Sequence, residues 1–180
     1  MQVFLIRHPR PLIDAGLCYG QLDVDCEDPL PVATRIRSRF PDGTPVISSP
    51  LRRARQLAEA LDSRARIDAR LSEINFGDWE GRSWDDIDRV SLDAWAADVL
   101  DFTPPGGESV ASLQRRAIDF AASLDINKTP RVALVTHAGI IRALVGHWRQ
   151  LPVADWTQLK FEFGSVTEIE IGKRHETTQT

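Results

Sequence analysis

The run Val132-Ala133-Leu134-Val135 is apolar at four consecutive positions and leads straight into Thr136-His137-Ala138-Gly139. A strand with no polar alternation is buried on both faces. A parallel sheet covered by helices provides such burial, whereas a sheet with one wet face does not. Val3 to Ile6 repeats the pattern, and Val46-Ile47-Ser48 gives a shorter third strand. Helical segments follow the second and third of these in chain order. After Val46-Ile47-Ser48, Ser49 is read as the cap and Pro50 as the first helical position, with Leu51, Ala54, Leu57, Ala58 and Leu61 along one face. Ser109 opens another helix that places Val110, Leu113, Ala117, Phe120 and Leu124 together, and Gly139 to Leu151 reads as a helix directly after the Val132 strand. This alternation predicts an α/β fold: a three-layer sandwich with a mainly parallel central sheet flanked by helices.

The connecting stretches fit that frame. Asp101 to Glu108 contains Pro104-Pro105-Gly106-Gly107 and must be a loop, and Gly16 to Leu30 is also loop-like. Phe161-Glu162-Phe163 and Val166 to Ile171 flank Gly164-Ser165, which is read as a hairpin with its last strand at a sheet edge. The 180 residues suffice for one well-buried core. The expected organisation is a single domain over residues 1–172 and a polar tail over 173–180.

In open parallel sheets, ligands sit beyond the carboxyl ends of the strands. The first strand ends in Arg7-His8, the second runs through Ser48-Ser49 into a helix bearing Arg52 and Arg53, and the third ends at His137. One rim of the sheet is thus offered two histidines and at least two arginines. One strand-end histidine is more often a structural residue than a functional one. Two of them with arginines point to a site for an anionic group. Arg suits phosphate because its planar guanidinium is always charged and donates two parallel hydrogen bonds. Gly139 lets backbone amides approach an oxyanion.

Charge and cysteine content narrow the alternatives. A net charge of −4 does not favour non-specific attraction to nucleic acid or to an anionic membrane. No apolar run reaches the length of a membrane span, and the N-terminus carries too short an apolar run for a signal peptide, so a cytoplasmic location is expected. Cys18 and Cys26 form no CxxC pair, and Val24 and Val32 stand where a cysteine-dependent phosphatase needs its arginine. Asp23-Val24-Asp25 lacks the preceding buried strand that an aspartate nucleophile motif requires. No P-loop signature and no HExxH occurs, and no metal and no cofactor is implied.

Five ordered segments carry a resemblance to a known family. Leu5-Ile6-Arg7-His8, Ser48-Ser49-Pro50-Leu51-Arg52-Arg53-Ala54, Leu71 to Gly81 around Glu73, Pro105-Gly106-Gly107-Glu108-Ser109, and Val135-Thr136-His137-Ala138-Gly139-Ile140-Ile141-Arg142 together resemble the histidine phosphatase (phosphoglycerate mutase-like) superfamily over residues 2 to 150. The resemblance implies that His8 is the nucleophile, His137 the second catalytic histidine, Arg7 and Arg53 phosphate ligands, and Glu73 the general acid. It also places a protonated His137 and Ala138 beside the phosphate. Cys18-Tyr19-Gly20-Gln21-Leu22-Asp23 is similar to a stretch of the α-ribazole phosphatase branch, which makes Gln21 either a substrate contact or a turn residue.

The implied function is a metal-independent phosphomonoesterase working through a phosphohistidine on His8, with α-ribazole 5′-phosphate as one substrate. A mutase-type phosphoryl transferase and a catalytically silent phosphate-binding protein are the alternatives. The expected partner is a small-molecule phosphate monoester, with no nucleic acid and no membrane, and oligomeric state is left open. Pro9 stands where many family members have Gly, and Arg10 either extends the cationic pocket or points to solvent. Trp79, Trp84 and Trp95 either wall the pocket or pack, with packing expected for at least two of them.

Overall fold

The computed structural model describes residues 1–172, so the polar tail expected over 173–180 lies outside the described residues. Five strands form one sheet: β1 (Gln2–Arg7), β2 (Val46–Ser48), β3 (Arg66–Ile67), β4 (Arg131–Thr136) and β5 (Val166–Glu170). Their spatial order is β3-β2-β4-β1-β5. The first four run parallel, and β5 pairs antiparallel with β1 at the edge. Six helices accompany them: α1 (Pro29–Ile36), α2 (Arg52–Leu61), α3 (Arg89–Ala97), α4 (Val110–Ala122), α5 (Ala138–Arg149) and α6 (Val153–Trp156).

Strand side chains alternate between faces, and the core divides accordingly. Val3, Leu5, Val132 and Leu134 pack with Leu113, Ala117 and Phe120 of α4 and with Ile140, Ile141 and Leu144 of α5. Phe4, Ile6, Ala133 and Val135 pack on the other side with Ala33 and Ile36 of α1 and with Ala54, Leu57, Ala58 and Leu61 of α2. This is the three-layer α/β sandwich that the apolar runs imply. Among the described residues no helix is long and apolar enough to cross a membrane.

Two local expectations are corrected. Phe161-Glu162-Phe163 forms no strand, although β5 does lie at the edge. The Phe161 carbonyl accepts from the Arg7 guanidinium at 2.6 Å, and Gly164, at φ +67°, donates back to the carbonyls of Arg7 and His8. The segment is thereby tied across the end of β1 instead of pairing along it. The second correction is that α2 begins at Arg52, not Pro50, with extended backbone at Leu51. Ser49 Oγ accepts from Leu51 N at 3.2 Å, while the Arg52 amide is capped from outside by Asp23 Oδ1 at 2.7 Å.

Strand register positions the site. Arg7 pairs with Thr136, and Ser48 with Val135. His8, Ser49 and His137 therefore emerge side by side, just past three adjacent strand ends. The amides of His8 and Ser49 still bond to the carbonyls of Thr136 and Val135, both within 3.1 Å, so these positions are fixed by the sheet itself.

Candidate active site

The two histidines meet. Their ring centroids are 4.9 Å apart, and both side chains are buried. His8 Nδ1 lies 2.6 Å from the Pro9 carbonyl. A carbonyl only accepts, so Nδ1 carries the proton and Nε2 keeps a lone pair. Pro9 thus contributes its oxygen where it lacks an amide to give. Burial, then the charge of Arg53 and, more weakly, of Arg7, pulls the His8 pKa down to about 3 against the opposing pull of the Pro9 carbonyl. His8 is a neutral base at physiological pH.

His137 is also driven well below its ordinary value, first by burial, then by His8, Arg53, Arg116 and Arg7. The free site therefore disfavours the imidazolium, whereas the protonated His137 implied by the resemblance belongs to the site during phosphoryl transfer. Its Nε2 sits 2.8 Å from Ser49 Oγ, and its Nδ1 is buried with no partner.

Arg53, on the first turn of α2, is wholly buried. Nη1 donates to the Leu22 carbonyl at 2.9 Å and Nη2 to that of Gly20, while Nε is unpartnered. Arg7 is held by the Phe161 carbonyl and by the Phe163 ring, whose centroid is 3.8 Å from its guanidinium carbon, and its Nε too is unpartnered. Both guanidinium pKa values are lowered, chiefly by burial.

Glu73 lies just after a short 3-10 turn, Ala69–Leu71. Its Oε1 accepts from the Ile74 amide at 3.0 Å and its Oε2 from the Gly139 amide at 3.1 Å. The Gly139 amide is thus committed to Glu73, so of the amides around Gly139 it is not the one left for an oxyanion. Arg116 fixes the same segment from behind: it donates to the carbonyls of Arg70, Ser72 and Glu73 at 2.6–2.9 Å and pairs with Glu108 at 2.6 Å.

Arg7, His8, Arg53, Glu73 and Ala138 all line one cavity of about 440 Å³. Ala138 is the first residue of α5, so its amide has no intrahelical acceptor. Gln21 is not among the lining residues. Its side-chain amide donates to the Glu73 carbonyl at 3.1 Å, and its backbone amide bonds to Glu80, so it braces the acid-bearing loop from outside that cavity. Arg10 is largely exposed and sits 3.8 Å from Glu27, outside the cavity.

Of the three tryptophans, only Trp95 lines the cavity. Trp79 and Trp84 pack beside it, with Trp84 stacked on Trp95 at 5.7 Å. Sequence reasoning missed Tyr19, Arg142 and Trp156 as lining residues and Ser49 as the partner of His137. Among the described residues no group of three or more His, Cys, Asp or Glu side chains is placed to hold a metal ion.

Fold and site together define an α/β protein that gathers two buried imidazoles, the buried guanidinium of Arg53 and the partly buried guanidinium of Arg7 at the carboxyl ends of adjacent strands. Comparison with known proteins agrees. The model of the histidine phosphatase superfamily (branch 1) matches residues 3–180, and the chain belongs to that family.

Among curated relatives, the glucosyl-3-phosphoglycerate phosphatase of Mycolicibacterium vanbaalenii is 32% identical over 88% of this chain and 78% of its own length. The adenosylcobalamin/alpha-ribazole phosphatase of Salmonella typhimurium is 31% identical over 70% of this chain and 66% of its own length. The crystal structure of the alpha-ribazole phosphatase from Shigella flexneri is similar at a TM-score of 0.85 and 25% identity, over 96% of this chain and 92% of that one.

Proposed function

We propose that the protein is a phosphomonoesterase that forms a covalent phosphohistidine on His8 Nε2 and needs no metal. One observation carries this reading. Arg7 Nε, Arg53 Nε and His137 Nδ1 account for three of the four buried side-chain atoms without a hydrogen-bond partner among the described residues. Buried donors are normally satisfied. Two guanidinium N–H groups that are not, with an unpartnered imidazole nitrogen and a histidine whose lone pair is free, fit an anion with several acceptor oxygens.

The chemistry follows from the placement. The neutral Nε2 of His8 attacks phosphorus while the arginines hold the equatorial oxygens. Glu73 protonates the departing oxygen. Each carboxyl oxygen accepts only one amide bond, so a lone pair remains on either for that proton. The same carboxylate then takes a proton from the water that cleaves the phosphohistidine. Charge on the transferring group is met by guanidiniums, so turnover is expected to persist in chelator.

For the leaving group, the aromatic wall of Phe76, Trp95 and Trp156 supports α-ribazole 5′-phosphate, in line with the alpha-ribazole phosphatase relatives. Arg142 in the same wall supports a second reading, an anionic leaving group such as that of glucosyl-3-phosphoglycerate. Relative kcat/KM on these two phosphomonoesters decides between them.

The covalent step is tested by trapping acid-labile phosphate on the protein from a labelled substrate. Wild type should label and turn over, and His8→Ala should do neither while keeping its fold. Labelling that survives in His8→Ala means a different nucleophile.

A further inference from the structure

Ser49 lies between β2 and α2 and is completely buried. Two groups meet its hydroxyl oxygen: the Leu51 amide, which donates to it at 3.2 Å, and His137 Nε2 at 2.8 Å. An amide can only donate, so that bond occupies one lone pair and leaves the single hydroxyl proton to be placed. Were His137 Nε2 to donate, the oxygen would accept twice, and its own proton would need a third partner. No such acceptor is found among the described residues. Were the hydroxyl to donate to Nε2, the hydroxyl proton, the Leu51 amide and Nε2 are all satisfied, and the imidazole proton sits on Nδ1, which alone has no partner in the free site.

Nδ1 is the ring's other polar atom. It is buried, has no protein partner, and belongs to a ring 4.9 Å from that of His8. A lone pair at that position would repel a phosphoryl oxygen, whereas an N–H there bonds to it. We propose that Ser49 is a positioning residue that donates to His137 Nε2, fixes the Nδ1–H tautomer and so makes neutral His137 a hydrogen-bond donor to the bound phosphoryl group. The arrangement removes any need for an imidazolium. Burial and the neighbouring Arg53, Arg116 and Arg7 all oppose that cation in the free site. The inference rests on the reading of the cavity as a phosphate site, but the tautomer is measurable without substrate.

The test is ¹⁵N NMR of the histidine rings in the full, phosphate-free chain at neutral pH. His137 should show a protonated Nδ1 and a bare Nε2. A proton on Nε2 overturns the proposal whatever the activity. Ser49→Ala should shift the ring towards the Nε2–H tautomer, kcat/KM should fall on the order of 100-fold, as when one oxyanion donor is lost, and affinity for inorganic phosphate should fall with it. Ser49→Thr keeps the hydroxyl and should keep the Nδ1–H tautomer. A threonine variant with the alanine variant's ring signature refutes the assignment. If Nδ1 is protonated in wild type while His8→Ala still labels, the phosphohistidine reading fails and the Ser49 assignment stands.

Discussion

Gly139→Ala separates the acid's position from the fold that carries it. Gly139 is the second residue of α5, and its amide holds Glu73 Oε2. A Cβ added there would lie 2.2 Å from Glu73 Oε1, 3.2 Å from Glu73 Cδ and 3.2 Å from Leu113 Cδ1. A carbon–oxygen contact settles at about 3.3 Å or more, so the carboxylate oxygen must retreat by about 1 Å. That oxygen ends a flexible side chain, so the carboxylate moves while the helix stays. Alanine also favours the helical backbone over glycine by about 0.5–1 kcal/mol, which offsets the residual crowding at Leu113. Stability should therefore change by less than about 1 kcal/mol, within the range of a benign substitution.

Catalysis should not escape so lightly, since a displacement of about 1 Å in a reacting group costs on the order of 10²-fold. The assay is kcat/KM across phosphomonoesters of graded leaving-group acidity. Alkyl phosphates, which need a proton on the departing oxygen, should lose about 100-fold, and p-nitrophenyl phosphate less than about 10-fold. Equal losses across the series would refute the proton-donor placement of Glu73. A marked fall in melting temperature would refute the claim that the side chain yields first.

Two further outcomes follow from the same contacts. The folded-state His8 pKa of about 3, against an ordinary 6.5, means that the unfolded chain binds a proton there that the folded chain refuses between those values. Stability must therefore fall as pH drops through that window, by about 2 kcal/mol at pH 5 relative to pH 7.5 from His8 alone, with His137 adding in the same direction. Urea denaturation at the two pH values measures it, and a flat profile contradicts the buried neutral state. Arg116→Met removes three carbonyl contacts and strands Glu108, so it should cost about 3 kcal/mol and about 6–12 °C of melting temperature. A loss under about 1 kcal/mol would show that Arg116 does not brace the Glu73 segment.

The parts of this molecule that could be read from the chain are those governed by neighbours in sequence. Val3 to Ile6 and Val132 to Val135 announce themselves because a strand buried on both faces has no polar position. The ends of those runs then bring Arg7, His8 and His137 to one rim. The helices α1 and α3 went unread although Asp28-Pro29 and Asp88 stand at their starts, and both aspartates do cap them. The first is only 8 residues long, with Ala33 and Ile36 as its buried residues, and adjoins an irregular loop; the second buries no residue fully, so it shows no strong apolar stripe.

Roles set by remote partners were not legible. Nothing local distinguishes a Gln21 that touches substrate from one that supports the Glu73 carbonyl. Ser49 looks like a cap beside Pro50, and only the pairing of β2 with β4 brings it to His137. The hairpin failed for a similar reason, because Phe161 and Phe163 answer to Arg7 across 154 and 156 positions of chain rather than to each other.

Partner chemistry separates three arginines of the scaffold from the three that line the cavity. Arg116, Arg70 and Arg52 each face a carboxylate, Glu108, Asp68 or Asp25, at 2.6–2.7 Å, and their charge is spent within the scaffold. Arg7, Arg53 and Arg142 line the cavity, and all three are held by backbone carbonyls, of Phe161, of Gly20 and Leu22, and of Leu159. A carbonyl fixes the direction of a guanidinium without cancelling its charge. That distinction matters twice in the proposed reaction. Uncancelled charge at Arg53 and Arg7 helps keep His8 unprotonated, which a nucleophile requires. The same charge meets the phosphate dianion, whose arrival then offsets the field that held His8 neutral. Carboxylate partners on Arg7 and Arg53 would have fixed the same geometry and weakened both effects, so backbone oxygens are the acceptors that let one pair of cations bind the substrate and prepare its attacker.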